Sequence, residues 1–279
     1  MSEFNQTKQG DVQEHQDLHM NEDKQEYSQS QLDAATHLLK QRQQAIPVSD
    51  LRNNAPKTLD DAFAMQQIMM AQTSSEHIGW KCLIPQQNGN VIVAPLLSQL
   101  STEQQDCSIK SIKSMKGYAL IEPEIAFVLA NDLSAGQTYS NDEIDDAVGE
   151  TRLALELIEP RFSIDYDANH FERLADGLSN QGLYLGPVID KPIAYKAAKI
   201  DINISQEKTE QVFAGIHPCE LPQNPLYWLV SHLTARGISL RAGQVIITGS
   251  YCGVVKVAMN SPVNINYQGI GQFSVNFTG

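Results

Sequence analysis

Paired cysteines, long apolar runs and an excess of positive charge are all missing from this 279-residue chain, and each absence removes a class of protein. The four cysteines, Cys82, Cys107, Cys219 and Cys252, are scattered without the short paired spacing of a zinc site or a redox dithiol, so they read as reduced thiols. No apolar stretch approaches the roughly 20 residues needed to span a bilayer, and the polar N-terminus lacks the hydrophobic segment of a signal peptide. A cytoplasmic address is the default expectation. Lysine and arginine number 20 against 33 aspartates and glutamates, a net charge of −13. That charge opposes polyanions and leaves no electrostatic case for nucleic acid or an anionic membrane. An anionic small molecule must therefore be captured by cations gathered locally.

What is present changes along the chain. Residues 1–27 are rich in Gln, Glu and Asp, carry almost no aliphatic residues and read as a disordered tail. His15 and His19 have the spacing of ligands on one helical face, but a flexible tail is a poor metal site. Residues 28–279 read as one domain, with a helical part over 28–75 and a β-rich core over 76–279. "SQSQLDAATHLLKQRQQ" places Leu32, Ala35, Leu38 and Leu39 at helical spacing behind capping serines. In "TLDDAFAMQQIMMAQ", Thr58 and Asp61 form a capping signal, and the methionines read as packing. A further helix begins at Ser140 or Asn141, "LPQNPLYWLVSHLTARGISLRAGQVIITGS" reads as a helix, a Gly-containing turn and the strand Val245 to Thr248, and from Val254 onward Gly and Asn turns separate short strands.

Two segments carry carboxylates inside apolar frames, and a third a lysine. "LIEPEIAFVL" reads as a strand, because Ile121, Ile125, Phe127 and Val128 favour extended backbone and Pro123 would break a helix. Alternation then turns Glu122 and Glu124 to the same face. Two readings are open. Either an edge strand has a wet face and tolerates Pro123, or a divalent metal offsets the repulsion of two shielded anions. Glu156 in "LALELIEPRF" repeats the pattern, with Glu159 on the opposite face if that stretch is a strand. Lys81 in "GWK" either acts in a site or lays its stem on apolar surface with its ammonium in water.

Taken in order, "GYALIEPEIAFVLANDL", "LALELIEPRF", "LADGLSNQGLYLG" and "GISLRAGQVIITGS" resemble the 2-keto-4-pentenoate hydratase and 4-oxalocrotonate decarboxylase branch of the fumarylacetoacetate hydrolase superfamily, over roughly residues 30 to 279. The resemblance implies an α+β fold with a mixed β-roll core and flanking helices, a Mg²⁺ or Mn²⁺ ion, and a small 2-oxo acid substrate. A homo-oligomer is expected. Position by position, Glu122 and Glu124 match the paired metal ligands and Glu156 the third, an oxygen-rich set suited to a hard cation. Lys81 matches the lysine near the substrate. Asp176, Ser179 and Asn180 fall in the loop lining the site, where "DGLSN" departs from the usual pattern. Thr248 and Ser250 match the turn presenting hydroxyls and N–H groups to the substrate, although "TGS" is also a good turn after any strand. Arg161 reads as a partner for an acidic group or as a surface cation.

One departure concerns catalysis. The hydratase branch usually carries an acidic proton-transfer residue shortly before the segment that "APLL" resembles, and "NGNVIVAPLL" has none. His217, Glu159 and Asp176 are the substitutes, with His217 favoured because imidazole titrates near neutral pH. The implied activity is hydration of a 2-hydroxy-2,4-dienoate. Decarboxylation of a 4-oxalocrotonate-type acid and carbon–carbon hydrolysis of an acylpyruvate are the alternatives, and the missing acid leaves room for a non-catalytic protein that binds a 2-oxo acid.

Overall fold

The computed structural model describes residues 26–44, 51–73, 77–97, 100–102, 106–108 and 117–279. The tail through residue 25, with His15 and His19, lies outside them. Two helices lead, α1 (Gln29–Gln44) and α2 (Leu59–Gln72), and α2 starts on the capping box that Thr58 and Asp61 predict. With α4 (His170–Ala175) they share a small core of Ala35, Leu38, Met65, Ile68, Met69 and Leu174. Tyr27, assigned to the tail by composition, packs partly buried against that core. An aromatic side chain there gains enough apolar contact to order its end of the segment.

The strands form two sheets. In the first, β2 (Val93–Leu96), β1 (Gly79–Cys82), β10 (Val245–Ile247), β5 (Tyr118–Leu129), β6 (Val148–Ile158), β7 (Asn180–Ile189) and β3 (Leu100–Thr102) lie side by side, and β11 (Val255–Ala258) also pairs with β5. The second runs β4 (Cys107–Ser108), β13 (Gly271–Thr278), β12 (Pro262–Tyr267), β8 (Lys199–Gln206) and β9 (Thr209–Ile216). Shorter helices α3 (Asn141–Ala147), α5 (Lys191–Ala194) and α6 (Asn224–Ala235) join the layers. This is the α+β, mixed-sheet architecture the motifs imply. No helix among the described residues is long and apolar enough to cross a membrane.

Alternation along β5 and β6 divides the first sheet by function. Ile121, Ile125, Phe127, Leu153, Leu155 and Leu157 enter the main core with Tyr184 and the inner residues of the second sheet. The opposite face carries the glutamates, flanked by the small Ala126 and Ala154 together with Leu183 and Ile247. β5 is not an edge strand, as the solvated reading of Glu122 and Glu124 requires. It pairs with β6 on one side and with β10 and β11 on the other. Pro123 is tolerated because it falls between the β10 and β11 pairings, which end at Ala126 and begin at Ile121. There the missing N–H interrupts no ladder. The chain from Gly249 to Val254 crosses this gap, and the Pro123 carbonyl accepts from the Tyr251 N–H at 3.2 Å and the Ser250 hydroxyl at 3.2 Å.

Candidate metal and substrate site

Sheet register brings the three glutamates together. Glu122 stands directly opposite Glu156 across the β5–β6 pair, and Glu124 lies two residues along on the same face. One carboxylate oxygen from each lies within 4.8 Å of the others. Glu124 and Glu156 are 2% and 0% exposed, so neither is rescued by water. Lys81 reaches them because β1 runs parallel to β10, pairing Lys81 with Ile247 one strand away from β5. Its Nζ donates to Glu156 Oε1 at 2.6 Å. The ammonium is buried, which removes the reading of Lys81 as a surface cation.

The charges respond as crowded, dehydrated groups must. Burial, then repulsion from Glu156, pushes the Glu122 carboxyl up to about 7, with Lys81 opposing. Burial followed by repulsion from Glu156 and Glu122 drives Glu124 well above the carboxylate range, and the Gly249 N–H offsets only part of this. For Lys81, burial alone would favour the neutral amine, but Glu156, Glu122 and Glu124 together overcome it and raise the ammonium above its ordinary value.

The donor set fits a hard divalent cation. With all three carboxylates ionised, they and the one ammonium sum to −3 + 1 = −2, the charge a divalent ion would cancel. Glu156 Oε2 is a buried carboxylate oxygen with no hydrogen-bond partner, as a ligand atom would be before the ion arrives.

Around the cluster, Gly249 donates its N–H to Glu124 Oε2 at 2.7 Å. Its φ of +122° and the 2.6 Å and 2.7 Å approaches of Leu83 and Pro218 to a hypothetical Cβ admit only glycine. The Thr248 hydroxyl is buried without a partner beside it. Asn180 donates through Nδ2 to Glu156 Oε1 at 3.0 Å and to the Gly182 carbonyl at 3.1 Å, leaving Oδ1 unpartnered.

Three further expected site residues make contacts outside the glutamate cluster. Both Asp176 carboxylate oxygens accept from Arg161, at 2.8 and 3.0 Å, a pairing that holds its loop. Arg161 is thus a buried partner and not a surface cation. The Ser250 hydroxyl donates within its own loop region, to the Pro123 and Gly253 carbonyls. His217 is 2% exposed, takes the Cys219 N–H on Nδ1 at 3.2 Å and packs against the Tyr251 ring. Burial pulls its imidazole down to about 4, which leaves it neutral at pH 7. Ser179 sits half-buried in the turn, its carbonyl accepting from the Glu159 N–H at 2.8 Å. Glu159 is buried just past the end of β6 and outside the three-glutamate cluster. Gly249 supplies its N–H from within the "TGS" turn, and one contributor had no motif, Arg42, whose side chain reaches the Asp176–Asn180 turn from α1.

Fold and glutamate cluster define an α+β, mixed-sheet protein with a candidate divalent-cation site. The solved 4-oxalocrotonate decarboxylase from Pseudomonas putida G7, complexed with magnesium and adipate, superimposes with a TM-score of 0.70 at 18% identity, covering 89% of this chain and 97% of that one. In sequence the chain is 26% identical to 2-keto-4-pentenoate hydratase from Paraburkholderia xenovorans (strain LB400) over 260 residues, 89% of this chain and 95% of the relative. It is 24% identical to 2-hydroxyhexa-2,4-dienoate hydratase from Comamonas testosteroni over 84% of this chain and 92% of that one. No protein-family model matches. The motif resemblance to the hydratase and decarboxylase branch therefore extends over most of the chain.

Proposed function

We propose that this protein is a divalent-metal-dependent hydro-lyase that adds water to a 2-hydroxy-2,4-dienoate and releases a 4-hydroxy-2-oxo acid. The observation that carries the reading is the convergence of Glu122, Glu124 and Glu156 within 4.8 Å on one sheet face, with one ammonium against them. These three would hold Mg²⁺ or Mn²⁺. When bound, such a cation supplies Lewis-acid stabilisation to the carboxylate and 2-oxo oxygens of the substrate. Lys81 is placed to stabilise negative charge developing on the substrate, because its ammonium stays protonated beside the glutamates. The unpartnered Thr248 hydroxyl and Asn180 Oδ1 are polar groups available to orient the substrate. In the overall addition the enol proton and one proton of water end on carbon, while the hydroxide ends on C4.

A second reading, a protein that binds a 2-oxo acid without turnover, is favoured by two observations. "NVIVAPLL" has no carboxylate, and His217 is buried and neutral. One assay separates the readings: purified protein with Mg²⁺, with Mn²⁺ and with chelator, against 2-hydroxydienoates, 4-oxalocrotonate-type diacids and acylpyruvates, followed by ultraviolet absorbance. Hydration predicts metal-dependent loss of the dienoate band alone. Consumption of a diacid or acylpyruvate instead would replace the hydratase reading. Metal-dependent binding of pyruvate or oxalate with none of the three substrates consumed would establish the binding protein.

A further inference from the structure

Arg42 lies in "HLLKQRQQ" near the end of α1, a stretch where a cation ordinarily faces water. Its guanidinium is instead buried, 9% exposed. Nη1 donates to the Asn180 carbonyl at 2.5 Å and Nη2 to the Asp176 carbonyl at 2.7 Å. Arg161 shares the Asp176 carbonyl at 2.9 Å while binding the Asp176 side chain. Two guanidiniums thus converge on Asp176 in the interior, both on its carbonyl and only Arg161 on its carboxylate. Burial, then repulsion from Arg161, pulls Arg42 down to about 9. Such an arrangement is poor evidence for stability, since an ion pair or triad is often replaced by apolar residues at no loss. It does supply a rigid fork able to hold two carbonyls at once, which a lysine lacks.

Between those carbonyls the backbone does something unusual. Gly177, Leu178 and Ser179 all have left-handed φ, at 79°, 54° and 66°. Only the glycine takes this conformation freely, and consecutive left-handed residues persist where their surroundings over-determine them. A Cβ at Gly177 would approach Arg42 Nη2 to 3.1 Å, so the turn and the guanidinium are closely fitted. The turn delivers the chain into β7 at Asn180, whose amide meets Glu156 Oε1. Lys81 holds the same oxygen, and the two donors leave Oε2 as the free oxygen of that carboxylate.

We propose that Arg42 is a positioning residue of the site: by bridging the Asp176 and Asn180 carbonyls it locks the left-handed turn and keeps the Asn180 amide on Glu156. A helix without a candidate ligand thereby sets the orientation of one of the three glutamates. The inference rests on the metal reading for its affinity measurement, and a second measurement on metal-free protein is independent of that reading.

The test uses the full chain as R42M, R42K, N180A and the double variant R42M/N180A. Mn²⁺ affinity is measured by calorimetry, and the Asn180 side-chain NH₂ resonances are followed by ¹⁵N NMR without metal. R42M and N180A are each expected to weaken Mn²⁺ binding about tenfold, the scale of losing an outer partner of a metal ligand. The double variant is expected to be no weaker than the weaker single, because both changes remove one interaction. In R42M the Asn180 amide protons are expected to exchange rapidly with water. Parent-like Mn²⁺ affinity in R42M, losses that multiply to about a hundredfold in the double variant, or an unchanged Asn180 amide signal would each overturn the proposal. Should R42M not fold, R42K carries the same comparison, and parent-like values in R42K overturn it equally. If the parent binds no Mn²⁺, the metal reading fails and the metal-free amide measurement still decides the role of Arg42.

Discussion

Glu122 and Glu156 face each other across neighbouring strands, a placement that repels in water and more so when buried. Glu122→Gln and Glu124→Gln are each expected to weaken Mn²⁺ binding about tenfold or more while leaving the metal-free protein no less stable, since each removes a ligand and a repelling charge together, whereas Glu156→Gln weakens binding and also removes the carboxylate that pairs with the buried Lys81 ammonium. Calorimetry checks the first half and melting in chelator the second. Lys81→Met has the opposite sign in metal-free protein. It removes the ammonium bonded to Glu156 and should destabilise that form by about 1–3 kcal/mol, with turnover reduced even when metal is saturating. Part of this was legible in sequence. Period-two alternation places Glu122 and Glu124 on one face before any fold is known. That Glu156 meets them depends on β5–β6 register, which no local pattern encodes. Arg42 was not legible, because a cation among glutamines has the signature of a solvated face and only docking of α1 shows otherwise.

At the scale of elements, helix starts were readable because caps are local chemistry: Thr58 with Asp61 and Ser140 with Glu143 both form full capping boxes. Strand order was not, since β5 takes its neighbours β10 and β11 from segments more than a hundred residues later. Pro123 therefore suggested an edge strand when it marks a gap in a central one. α2 also braces the site from outside, its Gln66 Nε2 donating to the Val93 and Leu174 carbonyls at 3.0 and 2.6 Å. Thr58→Ala is expected to cost ~1 kcal/mol through loss of the cap, measured by urea unfolding, with Mn²⁺ affinity unchanged. A fall in affinity would show that the helix and the site are coupled through its capped end.

For the whole molecule, acid stability is set in part by two imidazoles, the buried His217 and the half-buried His232. Burial holds His217 and His232 at about 4 in the folded chain, below the roughly 6.5 of an unfolded histidine. Above pH 6.5 both states are neutral and nothing changes. As pH falls from about 6.5 to 4, the unfolded chain takes up protons the folded chain refuses, so stability declines. His217→Gln should flatten that decline by up to about 3 kcal/mol between pH 7 and 4, read from urea unfolding at several pH values. The span of the site's contacts carries a different consequence, one of timing. Lys81 and Glu156 are 75 residues apart, Gly249 and Glu124 are 125 apart, and Arg42 and Asn180 are 138 apart. Contacts this distant close slowly, after local structure has formed. A nascent chain with Gly249 still inside the ribosome already displays all three glutamates, yet lacks the N–H that fixes Glu124. Fixing of the Glu124 carboxylate thus waits on the emergence of residue 249, 125 residues after the glutamate itself.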